Sequence, residues 1–278
     1  MPAKTTIMNE LQRTEFEILK EFDAVCRKLE LPYFLVCGSA LGAVKYGGFI
    51  PWDDDVDVAM YRQDYLRFMN EAPALLPKHL FLQNYRSDPA FPHIFGKLRN
   101  SGTAYIETAV AELPIHHGIY IDIFPLDGFP KGRLRQKWLI FRKRLLASML
   151  LSVCDVPRSG LSRITYPLFH ALGVRKNTAR IAAVYERMIS SYPTEGSDVI
   201  CNHGNWQGSL EYAPVRHYGE GAEMSFETLT IRVPEAYDDY LRQKYGNYWQ
   251  DLPESEKHGH HHYTVCDCDR PYTEYVGK

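Results

Sequence analysis
The chain has 278 residues, 45% of them hydrophobic and 24% charged, with 34 acidic against 32 basic side chains and a formal charge of −2. That length accommodates about two domains, or one elaborated domain, around a core that needs no disulfide staples. The balance excludes a disordered chain and argues against a nucleic-acid partner, and no run reaches the roughly 20 apolar residues that cross a bilayer.

The opening MPAKTTIMNELQRTE carries no apolar run suited to a secretory signal, so a cytoplasmic location is expected. From Asn9 to Leu29, Leu11, Phe16, Leu19, Phe22, Val25, Cys26 and Leu29 recur mostly every three to four residues, predicting a helix that Pro32 ends. Residues 33–37 read as a short buried strand that turns at Gly38-Ser39 into a short helix over 40–44. The N–H groups of such a junction can face an anion. The loop KYGGFIPW then enters a second strand, placed at 53–60. A helix near 63–72 stops at Pro73, strand-like pieces occupy 80–99, and a strand over 118–124 is closed by turn chemistry at 125–128.

Seven basic side chains and no acidic one lie from Lys131 to Arg144, interleaved with Leu134, Trp138, Leu139, Ile140 and Phe141. They predict a basic amphipathic helix running on into LLASMLLSV, with its basic face either solvated or in contact with an anionic acceptor or membrane surface. Further helical pattern covers 178–190, a strand 226–233 and a helix 237–245. The expected fold is α+β, a mixed-sheet core at 1–130, a mainly helical part at 131–195 and a mixed α/β part at 196–278 that packs back on the core.

The chemistry concentrates in four aspartates within five residues, Asp53, Asp54, Asp55 and Asp57. On a strand, Asp53, Asp55 and Asp57 share one face and Asp54 takes the other. Converging carboxylates repel, and Mg²⁺, or Mn²⁺, is the simplest compensation. Asp122, between Ile121 and Ile123, offers a third carboxylate from another strand. Lys97 and Arg99 are either donor-phosphate ligands or surface cations. Trp52 is expected in the core, with base stacking as the alternative, and His116-His117 serve either packing or active-site hydrogen bonding. His258, His260, His261 and His262 with Cys266 and Cys268 leave open zinc binding, a structural or surface role, and contact with phosphate. The six cysteines are too sparse for a disulfide scaffold and are expected reduced.

Gly38-Ser39, fifteen intervening residues, Asp55-Val56-Asp57-Val58 and later Ile121-Asp122-Ile123 resemble the nucleotidyltransferase-superfamily pattern. The longer string CGSALGAVKYGGFIPWDDDVDVAM, with KLRNSGTAYIE, HGIYIDIFPLDG and YGNYWQDLP, resembles the LicD family of phosphocholine transferases, relatives of the fukutin-type phosphoribitol transferases. The resemblance spans roughly residues 10 to 265 and implies a nucleotidyltransferase-like core. It implies transfer of a phospho-alcohol from a CDP-alcohol such as CDP-choline to a hydroxyl of a glycan or lipid-linked glycan, releasing CMP, at the inner face of the membrane. Asp55 and Asp57 match the family's metal-binding pair and Asp122 its third acidic position. Asp53 stands beside them as an additional ligand, and Gly38 and Ser39 match the turn facing the donor phosphates. Lys45, expected with them to contact the donor, stands where many relatives carry arginine, which keeps the charge and loses the bidentate fork. Two alternatives remain: nucleotide transfer from a triphosphate with pyrophosphate release, and a silent glycan-binding protein. The residues name neither the alcohol nor the acceptor sugar.

Overall fold
The computed structural model describes residues 8–204 and 208–277. The first helix, α1 (Glu10–Leu29), starts at a reciprocal cap: the Asn9 side chain accepts from the Gln12 N–H, and the Gln12 side chain accepts from the Asn9 N–H. It ends at Glu30 in the left-handed region, before Pro32. Then follow β1 (Phe34–Leu35), α2 (Cys37–Tyr46), β2 (Asp57–Tyr61), α3 (Arg62–Glu71), β3 (Leu80–Gln83), β4 (Gly96–Asn100), β5 (Ala104–Glu107) and β6 (Tyr120–Gly128). Three helices come next, α4 (Arg133–Leu151), α5 (Ser162–Ala171) and α6 (Thr178–Ile189). The remainder is β7 (Val199–Asn202), β8 (Tyr212–Pro214), β9 (Ala222–Phe226), β10 (Leu229–Val233), α7 (Tyr237–Tyr245) and β11 (Tyr263–Asp267).

The main sheet has seven strands in the order β1-β2-β6-β4-β3, with β7 also on β6 and β8 on β7. Its β2–β6 pair is parallel and its other pairs antiparallel, so the sheet is mixed as expected of an α+β chain. The strand β6 is the spine: β4 pairs with its first half and β7 with its second, in tandem along one side. Val58, Leu98, Ile121 and Ile123 join one apolar cluster with Phe16, Leu19 and Phe22 of α1 and Phe68 of α3. Alternation along the strands then turns Asp57, Lys97 and Asp122 to the opposite face.

Several expectations change. The helix α2 already begins at Cys37, so Gly38-Ser39 lie in its first turn, and the single strand expected over 226–233 is instead the β9–β10 hairpin. The second strand begins at Asp57, not at 53, because residues 53–56 are held as a loop by contacts from distant segments, described below. The strand over 118–124 is not closed at Pro125 but runs to Gly128. Proline is tolerated there because it falls in the gap between the partners of β6: β4 pairs up to Ile123 and β7 from Leu126, so the missing N–H interrupts neither ladder. Finally, α4 is not a simple amphipathic helix. It buries Leu139 and Leu150, whereas Leu134, Trp138 and Phe141 are exposed.

The helical segment shares its packing with the sheet part. Leu139, Leu150, Ala182, Tyr185 and Ile189 form one cluster with Tyr85 and Ile94. Beneath it, Arg62 donates to both carboxylate oxygens of Asp127 at 2.8 and 2.6 Å and to Glu186 of α6 at 3.2 Å, all three side chains buried. At the other end, β11 pairs antiparallel with β5, and the β9–β10 hairpin packs beside β1. Among the described residues, no helix is long and apolar enough to cross a membrane.

Candidate active site
The site is assembled around the start of β2. The Gln12 side chain donates to the carbonyls of Ile50 and Asp53, both at 3.0 Å, pinning the loop to α1. The Val36 N–H donates to the Asp57 carbonyl at 3.1 Å, and the Asp57 N–H donates to Ser39 Oγ at 2.8 Å. The first turn of α2 and the first residue of β2 are therefore stitched together. A Cβ on Gly38 would lie 2.7 Å from Asp53 Oδ2, so glycine is what lets that carboxylate reach the α2 terminus.

Across the sheet, Asp57 is in register with Asp122 and Asp122 with Lys97, placing two carboxylates and an ammonium in one row. Lys97 Nζ stands 2.9 Å from Asp122 Oδ1, 3.7 Å from Glu107 Oε2 and 3.2 Å from the centre of the Tyr120 ring. Arg99 is buried deeper. It donates to Gln83 and to the Gly118 carbonyl and pairs with Glu107 at 3.5 Å, so its fork is engaged inside the fold. Burial lifts the Glu107 carboxyl, but the Lys97 and Arg99 charges outweigh it and hold its pKa at about 2.

The aspartates repel one another. Burial, then neighbouring carboxylates, drives the pKa of Asp57 and Asp53 well above the usual range; Asp55 is raised by burial and by Asp122, against the pull of His261. Asp122 is raised by burial in spite of Lys97. Glu15 of α1, buried close by, is raised by burial and then by Asp55 and Asp53. Asp54 is the exception. Its two oxygens accept the N–H groups of His260 and His261 at 3.1 and 3.0 Å, and His261 Nδ1 lies 3.1 Å away. His261 Nε2 lies 3.9 Å from Asp55 Oδ2. Burial opposes the imidazolium, but the Asp54 hydrogen bond and the Asp55 and Asp54 charges overcome it and carry its pKa to about 10. Gly259 makes this approach feasible, since a Cβ there would meet Asp54 Oδ2 at 2.3 Å.

Asp54, Asp55 and His261 place ligand atoms within 4.8 Å of one another, the one such group among the described His, Cys, Asp and Glu residues. A cavity of about 800 Å³ opens beside it, bordered by Trp52, Asp53, Asp54, His261, Tyr263 and Cys266. Trp52 is therefore half-buried at the rim rather than in the core. Lys45 points elsewhere: its Nζ binds the Tyr248 and Gln250 carbonyls at 3.2 and 3.3 Å and Asp251 at 3.0 Å, clasping the C-terminal segment. His116 bonds Ser101 Oγ and stacks on Phe81, and His117 bonds the Leu113 carbonyl, so both pack.

Of the residues singled out from the sequence, the structure gathers Gly38, Ser39, Asp53, Asp55, Asp57, Lys97 and Asp122. It sets Lys45 and Arg99 to other work. The sequence reading missed Asp54, assigned to the opposite face, and His261, noticed only within its run. It also missed Glu15 and Glu107. The signal for Glu107 lay in its place at the end of the apolar strand AYIE, where an acid needs a counter-charge.

The site is thus a sheet that presents buried carboxylates on two neighbouring parallel strands, with the Lys97 ammonium in register beside them. Residues 30–145 match the family described as LicD/FKTN/FKRP, nucleotidyltransferase domain, so the resemblance is borne out and the chain carries a LicD-family domain. It is 26% identical over 273 residues, 93% of this chain and 97% of the relative, to the lipopolysaccharide cholinephosphotransferase LicD of Haemophilus influenzae. Shorter matches, 31% and 29% identical over 58 residues, link 21% of the chain to uncharacterized proteins of Rickettsia typhi and Rickettsia prowazekii, covering 19% and 22% of those proteins.

Proposed function
We propose that this chain is a divalent-metal-dependent transferase that moves phosphocholine, or a kindred phospho-alcohol, from a CDP-alcohol to a hydroxyl of a glycan such as lipopolysaccharide, releasing CMP. The observation that carries the reading is the row of Asp57, Asp122 and Lys97 in register on three strands, with Asp54, Asp55 and His261 immediately beside β2. The whole-length likeness to a lipopolysaccharide cholinephosphotransferase supports the substrate class.

The donor set fits a hard cation: it is rich in carboxylate oxygen, and the carboxyls are raised first by burial and then by their neighbours' charge, both of which a positive ion would offset. Asp55 and Asp57 would hold Mg²⁺ or Mn²⁺, with Asp122 and Asp53 at hand. A cation there supplies neutralisation of the donor diphosphate and polarisation of the phosphorus under attack. The protein supplies the rest. Asp122, oriented by Lys97, takes up the proton of the acceptor hydroxyl or adds a ligand, and Lys97 lends positive charge to donor oxygens. Gly38 gives the Asp53 carboxylate room at the α2 terminus, Ser39 holds the Asp57 N–H, and His261 fixes Asp54 and Asp55. The nucleotidyltransferase-like description of the core belongs to the same proposal.

The test is metal-dependent CMP release across a panel of CDP-alcohols with pooled glycan acceptors and acceptor-free controls. CMP formation that needs acceptor and metal, and is lost in Asp55→Ala, is expected. Pyrophosphate release from nucleoside triphosphates would transfer the site to the nucleotidyltransferase reading. Glycan binding that survives Asp55→Ala and Asp57→Ala without any turnover would make it a silent binding protein.

A further inference from the structure
We propose that α4 docks in the interfacial plane of an anionic lipid bilayer, with Leu134, Trp138, Phe141 and Leu145 against the lipid. The four are spaced by four, three and four residues, which aligns them along one stripe of a helix. They are 84%, 59%, 59% and 44% exposed, and the Trp138 and Phe141 rings stack on each other at 5.7 Å. At 3.6 residues per turn, the stripe covers about 60° of the helix, and the buried Leu139 and Leu150 lie on roughly the opposite side. The apolar stripe is thus not the face that packs on the protein. Lys137 and Arg144 flank one border and Arg135 and Arg142 the other, all four exposed. The helix carries an apolar seam toward the fold, a second toward solvent, and cations between them.

The surrounding sequence strengthens the charge side. From residue 129 to residue 185 there are 12 Lys or Arg and one acid, Asp155, whereas the whole chain sums to −2. The next helix, α5, and the residues that cap it expose Leu161, Ile164, Leu168 and Leu172 at spacings of three, four and four. An anionic bilayer satisfies all of this at once: acyl chains and the headgroup boundary take Leu, Trp and Phe, and lipid phosphates take the flanking cations. A symmetric second copy would instead set cation against cation along both borders. Among the described residues no helix is able to span, and the stripe with its flanking cations suits an interfacial mode. The inference does not depend on the transfer reaction, because it concerns a surface far in sequence from the carboxylates and is read by binding.

The experiment is sedimentation of the full chain with large vesicles, either pure phosphatidylcholine or carrying about one quarter phosphatidylglycerol. Wild-type protein should partition to the anionic vesicles alone, and salt of about 0.5 M should weaken the binding. Trp138→Ser with Phe141→Ser should lower partitioning roughly tenfold or more, as should Lys137→Glu with Arg144→Glu. The distant exposed pair Lys28→Glu with Lys78→Glu, the same change in net charge, should stay within about twofold. Brominated lipid should quench wild-type tryptophan fluorescence and spare Trp138→Phe, which still binds. Unchanged melting temperatures would show that the variants fold. Absence of wild-type binding to anionic vesicles, or equal binding by both stripe variants, would overturn the proposal. So would self-association without lipid that Trp138→Ser with Phe141→Ser abolishes while vesicle binding is absent.

Discussion
Asp57 is fixed by two backbone hydrogen bonds at the head of β2 while its carboxyl sits buried near Asp55, Asp122 and Asp53. Such an arrangement weakens the fold, and under the proposed function a bound cation would relieve it. Asp57→Asn should therefore raise the melting temperature in chelator and cut transfer about a hundredfold or more. Added Mg²⁺ should stabilise wild type and leave the variant unmoved, as read by thermal shift. Glu107 behaves in the opposite sense. Its folded pKa of about 2 lies below the ordinary 4.5, so its contribution is present above pH 4.5 and is lost as pH falls through 2. That difference corresponds to about 3 kcal/mol. In urea titrations Glu107→Gln should be less stable than wild type by about that amount near pH 6, with the gap closing toward pH 2. Gly259→Ala tests the other glycine-enabled contact. Its Cβ would drive His261 off Asp54, and activity should fall about tenfold at little cost in melting temperature.

Among elements, β6 does two jobs at its two ends. Its first half carries Asp122 between Asp57 and Lys97, and its second half carries Asp127, locked to Arg62. Breaking that buried pair with Asp127→Ala should cost about 3–5 kcal/mol by denaturant unfolding, because Arg62 is left without its bidentate partner. Local pattern was a good guide where the determinant was local. The spacing of Phe16, Leu19 and Phe22 marked α1, and Ile121-Asp122-Ile123 marked the first half of β6. It was a poor guide at Pro125, whose tolerance depends on where two other strands stop. It also failed at 53–56, whose loop is held by Gln12 and by His260 and His261, more than 200 residues away. Alternation assigned Asp54 to the far side of a strand; the long-range hydrogen bonds decide otherwise.

For the whole molecule, the near-zero net charge conceals a separation. Four of the 34 acidic residues crowd into 53–57, and 12 of the 32 basic ones lie in 129–185 with a single acid among them. This polarity was legible in the sequence, and so was the core acidic set. The solvent-facing stripe of α4 was not, since apolar residues on both sides of a helix look like burial on one. Nor was the role of Lys45, which clasps residues 248–251 instead of facing the carboxylates.

The pairing of β11 with β5 and the grip of His260 and His261 on Asp54 also impose an order in time. During synthesis, Asp54 through Asp57 leave the ribosome some 200 residues ahead of the segment that holds them. A nascent chain that has built β2 and β6 therefore still lacks the imidazole and the strand that complete the acidic loop. The grip on Asp54 forms only once His261 has been made, so it is among the last contacts of the acidic loop to close.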